Sequence, residues 1–312
     1  TVATPFTGTI DGCGHTITVS APVFTEFGGT IKNLTIKGAV SADSGNLGAL
    51  AYTVVGGPVT ISNIANEATV THNGEAKTEA CVGGLIGLIA NDKTAEKNSV
   101  TIENCINKAD IKGPEATGGL VGEAQRAPVE GATGIVIKNC INNNKVESIS
   151  TNSGTASGGM IGYNGNGYIT IIGCVNNGEI YSGKAAGGIE GDARKGVHVT
   201  DCVNNGSVTA PGGHAGGMVG LGTYDTKAVP GAFQAENCVN YGKIDAWSDA
   251  GVKSKNGDAG SVVGYVGRKS AKDNVYSVKN CINYGEIKGS WRVGGMVGYF
   301  YAGDNRWLEL EN

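Results

Sequence analysis

The side chains in this 312-residue chain best suited to chemistry are its eight cysteines and a charged run near the middle. Six cysteines, Cys105, Cys140, Cys174, Cys202, Cys238 and Cys281, each stand at the same place in a recurring pattern, three of them within Asn-Cys-Ile-Asn. Thiols serve as nucleophiles, zinc ligands or disulfide partners. A zinc site needs four converging ligands, and this chain has no Cys-x-x-Cys and no paired histidines beside its cysteines. Two earlier copies of the pattern place Leu34 and Ile64 at the cysteine position, which marks it as an apolar core slot. The six thiols are therefore expected to lie buried and unpaired in a line, with no metal, and Cys13 and Cys81, outside the column, are expected to be buried and free too.

The charged run holds Glu190, Asp192, Arg194, Lys195, His198 and Asp201, with His214 one repeat later. Acids gathered with an Arg or Lys on an outer face are what polysaccharide-cleaving β-solenoids need. Glu190, Asp192, Arg194 and His198 are the catalytic candidates on that reading. The bland alternative has Glu190 pointing outward beside a charged loop, although its equivalents, Ile86, Val121, Ile161, Val219, Val263 and Val297, are all apolar. Aromatics gather late in the chain: Tyr241 and Tyr284 share one column, Trp247 and Trp291 nearly share another, and Tyr265, Tyr299, Tyr301 and Trp307 follow. Exposed rings at repeat spacing could form a flat platform for sugars, so Tyr241, Trp247, Tyr284 and Trp291 are the binding candidates.

The elements that position these residues come from the repeat itself. Each unit reads apolar-x-apolar-x-Asn-Cys-(Ile/Val)-Asn-x-Gly-x-(Ile/Val), then a variable stretch, then Gly-Gly-(Leu/Met)-(Val/Ile)-Gly. Three residues before the slot stand Ile31, Ile61, Ile102, Ile137, Ile171 and Val199; six after it stand Val40, Val70, Ile111, Val146, Ile180 and Val208. These β-branched columns suit pleated strands. Asn107, Asn142, Asn176, Asn204, Asn240 and Asn283 line up two residues after the slot, followed by Gly178, Gly206, Gly242 and Gly285, and are read as a left-handed corner and an amide ladder. No helical stripe survives the glycines, which number 53. Repetition on this period predicts an all-β, right-handed parallel β-helix of about nine coils with three short strands each, about 40 Å long. It forms one domain over 1–312, with a first coil over 1–30 and repeats over 31–312. The variable stretches near 91–98, 124–132, 222–231 and 248–256 are expected to be loops leaving the rod.

A net charge of −4 and no basic cluster remove the simplest case for nucleic-acid binding. Apolar runs fall far below the roughly 20 residues a membrane helix needs, so no membrane insertion of this segment is expected. No calcium-binding Gly-Gly-x-Gly-x-Asp repeat occurs, outward positions vary too much for an ice-binding threonine array, and no cofactor is implied. The last residues, Trp307 to Asn312, reproduce the strand that leads to a cysteine, so an open last edge and further coils in the natural protein are expected.

The Gly-Gly-Leu-Val-Gly segment at Gly118 to Gly122 resembles the GLUG motif, a repeat of bacterial surface and secreted proteins that include some IgA-cleaving metallopeptidases. Pro5 to Gly12 with Gly14-His15-Thr16-Ile17 is similar to the first coil of many such proteins. The resemblance implies an exported, extracellular or cell-surface β-helix, part of a larger protein, with adhesion as its role and no active site of its own. No His-Glu-x-x-His zinc motif is present. Two functions follow. One is a non-enzymatic structural or adhesive segment that contacts surface glycans or proteins through loops and the C-terminal aromatics; the alternative is a polysaccharide-active lyase or glycoside hydrolase.

Overall fold

Each short apolar-x-apolar segment can bury one face only by pairing with its copy in the next repeat, so the chain winds. The computed structural model describes residues 1–75, 80–90, 99–125, 134–152, 154–166, 168–194, 196–222, 233–248, 257–267, 275–301 and 307–311. Most of the four variable stretches, together with Lys195 and Asn312, lies outside them. The chain is a parallel β-helix in which each coil pairs in register with the coils before and after it, in three sheets of 23, eight and nine strands. The nine-stranded sheet gives one strand per coil, so the described residues make nine coils, and Trp307–Glu311 adds a further strand to the long sheet. A representative coil runs Val100–Glu103, Ile106–Asn107 and Ile111–Gly113 in the long sheet, then Ala116–Gly118 in the eight-stranded sheet and Val121–Ala124 in the nine-stranded one. The core is a single apolar column running from Phe24 to Cys281.

The cysteine column sits inside, with Cys105, Cys140, Cys174, Cys202, Cys238 and Cys281 buried, and among the described residues no cysteine is in a disulfide. Its position explains the residue type. The long strand is interrupted there, and the N–H of Cys105 donates to Sγ of Cys140 at 3.4 Å, as Cys140 does to Cys174 and Cys174 to Cys202. Each sulfur in turn donates to a carbonyl two residues back, Cys105 to Glu103 at 3.3 Å and Cys202 to Thr200 at 3.2 Å. The sulfur thus gives the cysteine N–H of the preceding coil an acceptor where the strand is broken, while the carbonyl it donates to, such as that of Thr200, also accepts from a backbone N–H, that of Gly173. Where Leu34 and Ile64 fill the slot, the strands run through it unbroken, as Thr30–Ala42 and Val59–His72. Contact with a neighbouring thiol, then burial, push the Cys105, Cys174 and Cys238 thiols up. Cys13 and Cys81 depart from expectation: Cys13 is exposed in the first turn and Cys81 is half-buried on an outer face. A thiol reagent should modify Cys13 at once, Cys81 more slowly and the other six only after unfolding; modification of more than two thiols before unfolding would contradict the buried column.

The inner asparagines form an unbroken ladder. Nδ2 of Asn107 donates to Oδ1 of Asn142 at 2.8 Å and to the Ala109 carbonyl at 2.8 Å, and the same pair of bonds repeats at Asn142, Asn176, Asn204 and Asn240. Asn283 receives the last of these bonds from Asn240. The left-handed corner is elsewhere. Positive φ falls one residue before the slot, at Asn33, Asn63, Asn104, Asn139, Asp201, Asn237 and Asn280, and at Gly173. The glycines at 178, 206, 242 and 285 are not among the positive-φ residues; they are required because a Cβ there would strike a backbone oxygen of the preceding coil.

Candidate functional site

The eight- and nine-stranded sheets meet at the paired glycines, where a Cβ on Gly119 or Gly159 would collide with the next coil's backbone. That close bend turns the outer faces of the two sheets toward one another and makes a trough along the rod. One wall is the register column Cys81, Ala116, Ala156, Ala185, His214 and Asp258, continued by Arg292. The other is Leu88, Glu123, Tyr163, Asp192, Leu221, Tyr265 and Tyr299. Ala156, Ala185 and Leu221 pack together at its floor with Tyr163 and Tyr265 against them.

Of the catalytic candidates, the structure unites only Asp192 and Arg194. Glu190 does not point outward: it occupies the core column between Ile161 and Val219 and is fully buried. The strand bends so that the first and fourth residues of each Val-Gly-x-Ala-type segment face inward, and the first is position 190. Neither Glu190 carboxylate oxygen has a well-formed hydrogen bond, and burial, with Asp192 adding to it and the nearby Asn164 amide opposing it, pushes this carboxyl well up. Asp192 lies in the trough wall under Arg194, whose Nε donates to Oδ2 at 3.2 Å. Burial outweighs Arg194 and raises the Asp192 carboxyl to about 6. The guanidinium rests 5.0 Å from the Tyr163 ring centre. His198 is on the outer side of the long sheet, bonded to Thr200 at 2.9 Å, so it belongs to a different face from Glu190 and Asp192.

The aromatic candidates are exposed: Tyr241 by 54%, Trp247 by 44%, Tyr284 by 66% and Trp291 by 48%. Tyr241 and Tyr284 stack with centroids 5.0 Å apart and planes 8° from parallel. Ring faces thus meet along the rod axis and present edges to solvent, apart from the outer face of Tyr284. One face of Trp247 carries the Lys288 ammonium at 4.8 Å. The stack is a ridge rather than the flat platform expected.

Two clusters in the trough escaped the sequence reading. At one end Cys81 donates to Oε2 of Glu123 at 2.9 Å, beside a hollow of about 320 Å³ lined also by Asn46, Glu115, Gln125 and Tyr163. At the other end Asp258, with no exposed surface, accepts from Arg292 Nε at 2.6 Å and Nη2 at 2.7 Å and bonds His214 Nδ1 at 3.0 Å. Desolvation would raise the Asp258 carboxyl, but the bonds to His214 and Arg292 hold it low. The Arg292 guanidinium lies 3.4 Å from the Tyr299 ring centre, and Tyr265 contacts both His214 and Tyr299. A signal existed in the sequence: positions equivalent to His214, Asp258 and Arg292 hold Ala116, Ala156 and Ala185 in earlier coils. Among the described residues, no three His, Cys, Asp or Glu side chains gather as a metal site.

No family model matches the chain, and no curated protein matches it. Among solved structures, a candidate immunoglobulin A1 protease from Bacteroides ovatus is similar, with a TM-score of 0.50 and 19% identity over 62% of this chain. The match takes in 59% of that protein's chain. At this identity the likeness shows the fold.

Proposed function

We propose that this chain is a non-enzymatic structural and adhesive segment of an exported bacterial surface protein, contacting glycans or neighbouring proteins from its outer faces. The observation that carries the reading is a division of labour. The repeated polar groups, the inner asparagines and the six column thiols, are used in stacking coils, whereas the aromatics Tyr241, Trp247, Tyr284 and Trp291 are exposed on the outside of the rod. Stiff aromatics provide contact area at low ordering cost. The GLUG-like segments support export and the cell surface as the setting.

A glycan array probed with the purified chain, beside an assay for polysaccharide cleavage, tests this. Binding without cleavage is expected, and combined Tyr241→Ala, Trp247→Ala, Tyr284→Ala and Trp291→Ala should weaken protein or glycan contacts on that ridge about tenfold or more. Cleavage of any polysaccharide would replace this reading with the enzymatic one. That alternative has one observation in its favour: Glu123 and Asp192 flank Tyr163 in a single column, two coils and therefore roughly 10 Å apart. Against it, the Asp192 side chain is 2% exposed beneath Arg194.

A further inference from the structure

The cluster at the C-terminal end of the trough links three successive coils, but the coil repeat does not require it. Three successive earlier coils put alanine in this column, at 116, 156 and 185, and stack in the same register. An ion pair over a fully buried aspartate costs desolvation that alanine avoids, so stacking alone would not select it. The arrangement instead resembles a binding group held ready. Asp258 takes the Arg292 guanidinium in a two-point fork, Nε to Oδ1 and Nη2 to Oδ2. The flat of the guanidinium is set on Tyr299 at 3.4 Å, and Tyr265 braces both Tyr299 and His214. The Arg292 side chain nevertheless keeps 29% exposure, and its Nη1 takes no part in the fork to Asp258.

We infer that this end of the trough is a subsite for a carboxylate-bearing sugar residue, with Arg292 as its anion-recognising donor and Asp258 as the positioning residue. The inference rests on the reading of this chain as a glycan-contacting segment and makes that reading specific. A planar guanidinium matches a carboxylate in geometry, and one already fixed by a fork and a ring loses little freedom on binding. The Tyr265 and Tyr299 rings supply the apolar edge and hydroxyl groups that a sugar ring needs beside its acid group. A peptide is the poorer occupant. Strands here run across the trough, and their backbone groups already pair coil to coil, Ala259 with Arg292 and Val262 with Met296 among them. An extended peptide lying along the trough would find no strand edge to join.

The test compares acidic glycans, containing uronic or sialic acid residues, with their neutral counterparts in which the carboxylate is reduced to an alcohol, using the whole chain. The acidic forms should bind at least tenfold more tightly, with the preference weakening as salt rises. Arg292→Lys should lose most of the preference, because a point charge does not replace the fork. The double variant Asp258→Ala with Arg292→Ala should abolish it while keeping the fold, since alanine stands at this position in other coils and neither charge is left alone. An unchanged thermal midpoint for the double variant separates loss of binding from loss of structure. Glu103→Ala with Lys138→Ala, which removes an exposed ion pair from the outer face of the long sheet, should leave the preference intact. Equal binding of acidic and reduced glycans, or full preference in the double variant, overturns this inference and leaves the broader glycan reading standing. Absence of binding to every glycan overturns both.

Discussion

Replacing Glu190 with isoleucine should stabilise the protein at neutral pH, by about 1–3 kcal/mol, the cost of burying a polar group without a partner. Its neighbours in register are Ile161 and Val219, so an aliphatic side chain has a place to pack. The pH dependence has a definite sign. Both Glu190 and Asp192 have carboxyls raised in the folded state, Asp192 from 3.8 to about 6. Below about pH 4 both are protonated whether the chain is folded or not, and their penalty vanishes. As pH rises above the unfolded values, the unfolded chain releases protons that the folded chain retains, so stability falls. For Asp192 this fall is on the order of 3 kcal/mol and levels off above pH 6; for Glu190 it extends higher. Urea midpoints measured from pH 4 to 8 should decline in the wild type and decline less in Glu190→Gln and Glu190→Ile. A wild-type midpoint that rises over this range, or an isoleucine variant less stable than wild type at pH 8, would refute the buried neutral acid.

Asn176→Leu should destabilise by about 3 kcal/mol or more. The substitution leaves an N–H of Asn142, the Oδ1 of Asn204 and the Gly178 carbonyl without their partners in a sealed interior, and each orphan costs roughly 1–3 kcal/mol. The comparison is one residue away. Asn177 also bonds its counterpart, Asn143, at 2.8 Å, but on the exposed side. Water can replace that partner, so Asn177→Leu should change stability by no more than about 0.5 kcal/mol. Equal effects at 176 and 177 would mean that the inner ladder contributes no more than the surface one.

These two neighbours also show how much could be read without coordinates. A column of asparagines at one repeat position announced a ladder, and the ladder exists at that position. The cysteine column announced a buried slot and is one. The charged run was harder to interpret because residues adjacent in sequence can face different sheets: Glu190 enters the core, Asp192 enters the trough and His198 lies outside the long sheet. The cluster of His214, Asp258 and Arg292 is scattered over three coils, and only register brings it together.

The repeat pattern dictates the coil, its strand columns and the residues that stack, because a hydrogen-bonded parallel ladder forces equivalent side chains of successive repeats into contact. It also determined that helices were excluded, since glycine and Asn-Gly interrupt every helical stripe. The tertiary structure alone decided which way residues face at the corners. Strict alternation fails where a strand bends, as it does between Glu190 and Ala193, both of which point inward, and where the chain turns left-handed at Asn104 and its equivalents. It alone decided that two outer faces close on one another at the paired glycines. The trough exists because those backbones approach without side chains between them, a contact between coils that no single repeat contains.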